Sequence, residues 1–98
     1  MFWSKVHRHG NDILVAICDE ELLGKEIKVK KDFSIKIKKE FYGGKKIDKN
    51  KAIELLKVAT IANLFGNKIV EISIKNGFIL EKNVIKFKGI SHAQIINL

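Results

Sequence analysis

The 98-residue chain has no proline, one cysteine, one tryptophan and one tyrosine. Without proline or a Gly/Ser-rich stretch there is no rigid kink and no linker, and no internal repeat divides the chain. Its length suits one domain, residues 1–98, with a single modest core. The lone Cys18 excludes an internal disulfide and suits a reducing compartment. No apolar run approaches the roughly 20 residues that a helix needs to cross a bilayer. The opening "MFWSKVHRHG" lacks the apolar run and small-residue site of a secretory leader, so the expected location is the cytoplasm, with no membrane partner. Arginine is nearly absent too. Of the nineteen basic residues only Arg8 is not lysine. Lysine is a hydrated point charge that suits phosphates, whereas the arginine fork reads guanine edges. Sequence-specific base readout is therefore not expected.

What is present is charge, unevenly placed. The formal net charge is +8. Residues 1–24 hold two basic and four acidic side chains, whereas residues 25–51 hold eleven lysines against four acids. Residues 52–98 add six lysines and three acids. Such asymmetry points to a polyanion partner. Sixteen isoleucines and the Lys-for-Arg preference have a second source, an AT-rich genome or adaptation to heat. Composition leaves both readings open.

Periodicity supplies the elements. "FWSKVHRH" and "ILVAICDE" flank Gly10-Asn11-Asp12 as a hairpin, the second run apolar on both faces like a central strand. In "DEELLGK", Asp19 can cap one helical turn and Gly24 can end it. "EIKVKKDFSIKIKKEF" alternates with period two on either side of Lys31-Asp32, which predicts two half-buried strands. Their water face collects Lys28, Lys30, Lys36 and Lys38. These lysines either keep a solvated edge from aggregating or contact phosphates. "FYGGKKID" reads as a loop. Asp48 then caps a helix predicted over 48–65, from the spacing of Ala52, Leu55, Leu56, Ala59, Ala62, Leu64 and Phe65. Residues 68–76 match a strand and a helix about equally, and a short helix ending at Asn76-Gly77 is preferred. "NVIKFKGI" and "HAQIINL" make a closing strand kinked at Gly89. The expected fold is α+β: a mostly antiparallel sheet of four to six strands with two helices packed on one face.

Chemistry is sparse. His7 and His9 flank Arg8 and read as solvent-facing, and no pair of ligands has metal spacing, so neither a metal nor another cofactor is expected. "YGGKK" shares only its composition with phosphate-gripping turns. Cys18 would be a nucleophile if His92 approached it, but at the end of an apolar run it reads as a core residue. Asp19, Glu20 and Glu21 open a helical turn, where negative charge is favoured anyway. A more suggestive group is Tyr42, Asn63, His92 and Gln94, with Gly43 and Gly44 beside Tyr42. His92 and Gln94, two apart on a strand, face one way. They form either a satisfied polar cluster or the lining of a small pocket.

The segments "CDEELLGK", "EFYGG", "ATIANLFG" and "SHAQII", in this order, resemble the archaeal family named domain of unknown function 424. The matching positions are Asp19, Gly24, Phe41, Tyr42, Gly43, Gly44, Asn63, Gly66, His92, Ala93 and Gln94. Ser91 stands where the family pattern leads one to expect proline. The resemblance implies an archaeal, cytoplasmic, stand-alone domain and favours a helix at 68–76. It supplies no reaction.

Three functional readings follow. The first is a module for structured RNA or the ribosome, with Lys28, Lys30, Lys36, Lys38, Lys45 and Lys46 on phosphates and Tyr42 stacked on a base. The second is a small-molecule or catalytic pocket around Tyr42, Gly43, Gly44, Asn63, His92 and Gln94, with His92 as acid/base. The third is a protein partner or homodimer, engaged through an edge strand or through Phe2 and Trp3.

Overall fold

The computed structural model describes residues 1–97. Leu98, which closes the expected last strand, lies outside the described residues. Strands β1 (Phe2–His9) and β2 (Asp12–Asp19) form the expected hairpin, in register from Phe2↔Asp19 to His9↔Asp12. Gly10, at φ +60°, makes its turn. Then come β3 (Glu26–Lys30), β4 (Phe33–Lys36), the short helix α1 (Lys39–Tyr42) and β5 (Lys45–Ile47). Helix α2 (Lys49–Val58), β6 (Ile61–Phe65), α3 (Asn67–Lys75), β7 (Ile85–Phe87) and β8 (Ile90–Ile96) complete the chain. Six strands form one sheet in the order β5-β1-β2-β6-β8-β7, and β3-β4 is a separate hairpin. Within the sheet only β2 and β6 run parallel. The α+β class and mostly antiparallel sheet are as expected.

The closing strand and the long helix differ. In place of one strand kinked at Gly89, positive φ at Lys88 and Gly89 (+52° and +79°) turns the chain, and β7 pairs antiparallel with β8, Phe87 opposite Ile90. The helix predicted over 48–65 stops at Val58, and its second half is β6. Asp48 does cap α2, its side chain accepting from the Lys51 N–H at 2.8 Å. At the other end Thr60 is tied to the hairpin instead of continuing the helix. Its N–H donates to Ile13 O at 2.9 Å, and its hydroxyl oxygen accepts from the Ile13 N–H at 2.8 Å. Ala62 and Leu64 satisfy a helical spacing, yet they also alternate with Ile61, Asn63 and Phe65. Pairing with β2 and β8 decides for the strand. At 67–75 tertiary context decides the other way, for the helix.

The loop expected at 41–48 is also ordered. Phe41 and Tyr42 end α1, and Lys45 to Ile47 add a strand beside β1. Gly44 permits this because its N–H donates to Ser4 O at 3.0 Å, and a Cβ there would stand 2.6 Å from that same oxygen.

Alternation sends side chains to two cores. On one face Val15, Ile17, Ala62, Leu64, Ala93 and Ile95 pack with Ala52 and Leu56 of α2 and Ile69 and Val70 of α3. On the other, Ala16, Cys18 and Phe65 meet Leu22, Ile27, Ile37 and Tyr42. The two longer helices therefore share one face, and the β3-β4 hairpin with α1 covers the opposite one.

Candidate functional site

The lysines of 25–51 divide between two places. Lys28 and Lys36 are exposed on the β3-β4 hairpin, opposite Ser34 and Glu26 respectively. Two lysines facing each other would repel, and this register avoids it. A register shift between Lys28 and Lys30 sets Lys30 opposite Phe33. Lys38 follows the hairpin and precedes α1. Lys45 and Lys46 lie on β5, at the edge of the main sheet. Lys46 is already engaged: its Nζ is 2.7 Å from the Glu20 carboxylate and 5.6 Å from the centroid of the Trp3 ring. That bond holds the Glu20 carboxyl below its ordinary value. Among the described residues Lys28, Lys30, Lys36, Lys38 and Lys45 make no ion pair.

Tyr42, Asn63 and His92 do meet. The Tyr42 hydroxyl donates to Asn63 Oδ1 at 2.9 Å, and His92 Nε2 lies 2.9 Å from the same oxygen. With that oxygen as acceptor, Nε2 carries the proton. Asn63 sits on β6 and not in a helix, which explains why an amide was placed there: it accepts from α1 on one side and from β8 on the other. Gln94 stands directly across from Asn63 on β8 but is exposed. His92 packs against Phe65 and Phe87, with ring centroids at 4.8 and 6.2 Å. Burial in that apolar setting lowers its pKa below 6.5. Burial raises that of Tyr42, which is only 5% exposed. The ring expected to stack on a base is therefore inside the protein. Gly43 and Gly44 serve close approach: a Cβ on Gly43 would stand 2.8 Å from Lys39 O.

His7, Phe2 and Trp3 fall elsewhere than expected, whereas Cys18 is the core residue it was read as. His7 is half-buried and stacks on Phe41 at 4.9 Å, its Nε2 2.9 Å from Phe41 O. Phe2 is in the helix-face core and Trp3 packs against the other, so neither is the free apolar tip that a docking role needs. Cys18 is fully buried, and desolvation, helped by the charges of Asp19 and Glu21, pushes its thiol up to about 12. A thiol so held is no nucleophile at neutral pH. Among the described residues no three His, Cys, Asp or Glu side chains cluster as metal ligands.

Asp19 has a role that sequence spacing did not show. Instead of capping its own turn, it accepts from the N–H groups of Lys68 and Ile69, both at 2.9 Å, and so caps α3 from fifty residues away. Gly66, at φ +128° and ψ +148°, makes room, since a Cβ there would fall on the Asp19 carboxyl. Burial raises the Asp19 pKa, with the two N–H donors opposing.

The paired cap and the Tyr42–Asn63–His92 junction use the residues that carried the family resemblance. The family model described as protein of unknown function DUF424 matches residues 7–98. The chain belongs to this family. A solved structure of an uncharacterised conserved protein from Methanopyrus kandleri is similar, with a TM-score of 0.81 and 24% identity, over 99% of this chain and 93% of that one. That likeness establishes a shared fold. A comparison with curated proteins gave no match. No helix among the described residues is long and apolar enough to cross a membrane.

Proposed function

We propose that this DUF424 protein is an RNA- or ribonucleoprotein-binding module of the cytoplasm, with the β3-β4 hairpin as its contact surface. The observation that carries this reading is that Lys28, Lys30 and Lys36 stand exposed on one hairpin without ion-pair partners. Unpaired lysines hold only water and counterions, so phosphates can replace the counterions at a gain in entropy. Lys38 extends the surface toward α1, while Lys45, at the sheet edge, is a more remote contributor by element. Lys46 contributes least, because a phosphate must compete with Glu20.

The pocket reading rests on the convergence of Tyr42, Asn63 and His92. Against it, the Tyr42 hydroxyl and His92 Nε2 already use Asn63 as their acceptor, and Tyr42 is closed to solvent. These bonds have a structural use, clamping α1 onto the sheet.

Titration of the protein against tRNA, ribosomal subunits and an unrelated polyanion, across a salt series, tests the proposal. Affinity for one RNA class is expected to persist at physiological salt, falling linearly in log salt, and to vanish when Lys28, Lys30, Lys36 and Lys38 are all changed to Glu. Equal, weak binding of every polyanion would make the lysines a solvated coat and sink the reading.

A further inference from the structure

Among the phenylalanine, tyrosine and tryptophan side chains of this protein, Phe33 alone is substantially exposed, at 46%. It opens β4 at the tip of the hairpin, directly after Lys31-Asp32. Phe33 and Ile35 are two apart on one strand and so point the same way. Ile35 packs into the core, whereas Phe33 stands mostly in water. A ring in that position is not explained by packing.

Its neighbours are not explained by packing either. Lys28 pairs with Ser34, and simple alternation would next place Val29 opposite Phe33. The register shift instead sets Lys30 there. An extra residue of this kind re-aims a side chain, here setting an exposed lysine opposite an exposed ring in the ladder. Directly opposed residues have Cβ atoms about 5 Å apart, so the Lys30 ammonium can reach a group lying on the Phe33 face. Lys31 is exposed in the adjoining turn. Neither Lys30 nor Lys31 has an ion-pair partner among the described residues.

From this juxtaposition we infer that Phe33 is a stacking platform for an unpaired base, with Lys30 and Lys31 on the flanking phosphates. The inference rests on the RNA-binding reading and narrows it: the partner presents a loop, bulge or single strand at the hairpin tip. Bases inside a continuous duplex are stacked on each other and offer no free face to a side chain. Stacking also tolerates any base, which agrees with a surface that has almost no arginine to read base edges.

The test compares two labelled RNAs of equal phosphate count, an unstructured single strand and a perfect duplex, by fluorescence anisotropy across a salt series. The wild-type protein is expected to prefer the single strand. Phe33→Ala should weaken single-strand binding by about tenfold or more, leaving duplex affinity and both salt slopes unchanged. Phe33→Trp should retain the preference, and its added indole emission should be quenched by the single strand and not by the duplex. Lys30→Glu should weaken both RNAs and reduce both salt slopes by about one. If Phe33→Ala binds the single strand as tightly as wild type, the stacking role is overturned while the lysine surface stands. If neither RNA binds in a salt-dependent manner, the RNA-binding reading fails and this inference falls with it. Phe33 is outside the core, so a circular-dichroism melt that matches wild type shows that Phe33→Ala is folded.

Discussion

The two faces of the six-stranded sheet are built on different principles. On the helix face Val15, Ile17, Leu64 and Ile69 are fully buried, and α2 and α3 close over them. The polar fixture there is the Asp19 cap, which aims α3. On the hairpin face apolar contacts are interrupted by a hydrogen-bonded junction, Tyr42 to Asn63 to His92. The covering layer is a two-stranded hairpin that forms its own sheet and does not join the main ladder. The helices that close the first face carry exposed lysines as well, Lys49, Lys51 and Lys57 on α2 and Lys68 and Lys75 on α3, the last paired with Glu71. A hairpin lying on a sheet buries one side, Ile27 and Ile35, and leaves the other free for lysine. What sets the hairpin apart is that its lysines stand on the layer least woven into the fold.

The largest expected effect tests the helix face. Gly66 has a backbone conformation that only glycine adopts readily, and any Cβ would collide with the Asp19 carboxyl. Gly66→Ala should cost about 3 kcal/mol or more. Gly77 also has positive φ, +77°, but nothing lies within 4 Å of its would-be Cβ. Gly77→Ala should therefore cost only about 1 kcal/mol. Urea denaturation of the two variants measures the difference. Equal losses would show that the cap does not fix α3.

The corresponding test of the hairpin face is Asn63→Ala. It strands a buried tyrosine hydroxyl and removes the His92 acceptor, at an expected cost of about 2 kcal/mol. Tyr42→Phe made alone should cost about 1 kcal/mol, and much less in the Asn63→Ala background. A double-mutant cycle with no coupling would mean that the junction holds nothing together.

These two junctions also mark the limit of what the sequence made legible. Hairpin β1-β2, the lysine-bearing strands and the Asp48 cap follow from local pattern, because each depends on neighbours within a few residues, whereas α3 lies where strand and helix patterns fit about equally. The helix expected at 48–65 failed at Thr60, where bonds to Ile13 outweigh a spacing compatible with either structure. Asp19 looked like a local cap because its partners at Lys68 and Ile69 are remote in sequence. Tyr42, Asn63, His92 and Gln94 were singled out together, and three of them meet. Burial was the missing information: nothing local says that Tyr42 is covered and Phe33 is not. Alternation puts Phe33 on the side of Ile35, which packs on the core, and only the observed end of that core leaves Phe33 exposed.

Acidification should act on the two faces with opposite sign. His92 is held neutral by burial, with a folded pKa below 6.5. As pH falls past 6.5 the unfolded chain takes up this proton first, so the His92 contribution is full above that value and lost below it. Asp19 has a folded pKa raised above 3.8. Here the folded protein protonates first, so its contribution is full below 3.8 and is lost as pH rises through the folded value. Urea midpoints measured against pH for wild type, His92→Gln and Asp19→Asn separate the two. His92→Gln should flatten the decline that begins just below 6.5, and Asp19→Asn should alter only the carboxylate range. An unchanged decline in His92→Gln would mean that its ring is hydrated in the folded protein.

The smallest effect concerns the hairpin surface itself. Lys28 faces Ser34, so Lys28→Glu breaks no cross-strand pair and opposes no carboxylate. Its stability change should lie within about 0.5 kcal/mol of zero. Lys36 faces Glu26, so Lys36→Glu sets two carboxylates opposite each other and should cost a few tenths of a kcal/mol. Lys36→Gln avoids that repulsion and should be nearer neutral. If either lysine instead costs as much as Asn63→Ala, the hairpin is bound into the fold through its charges, and the separation between a holding face and a displaying layer breaks down. If both are silent in stability, any loss of RNA affinity in these variants is a loss of contact.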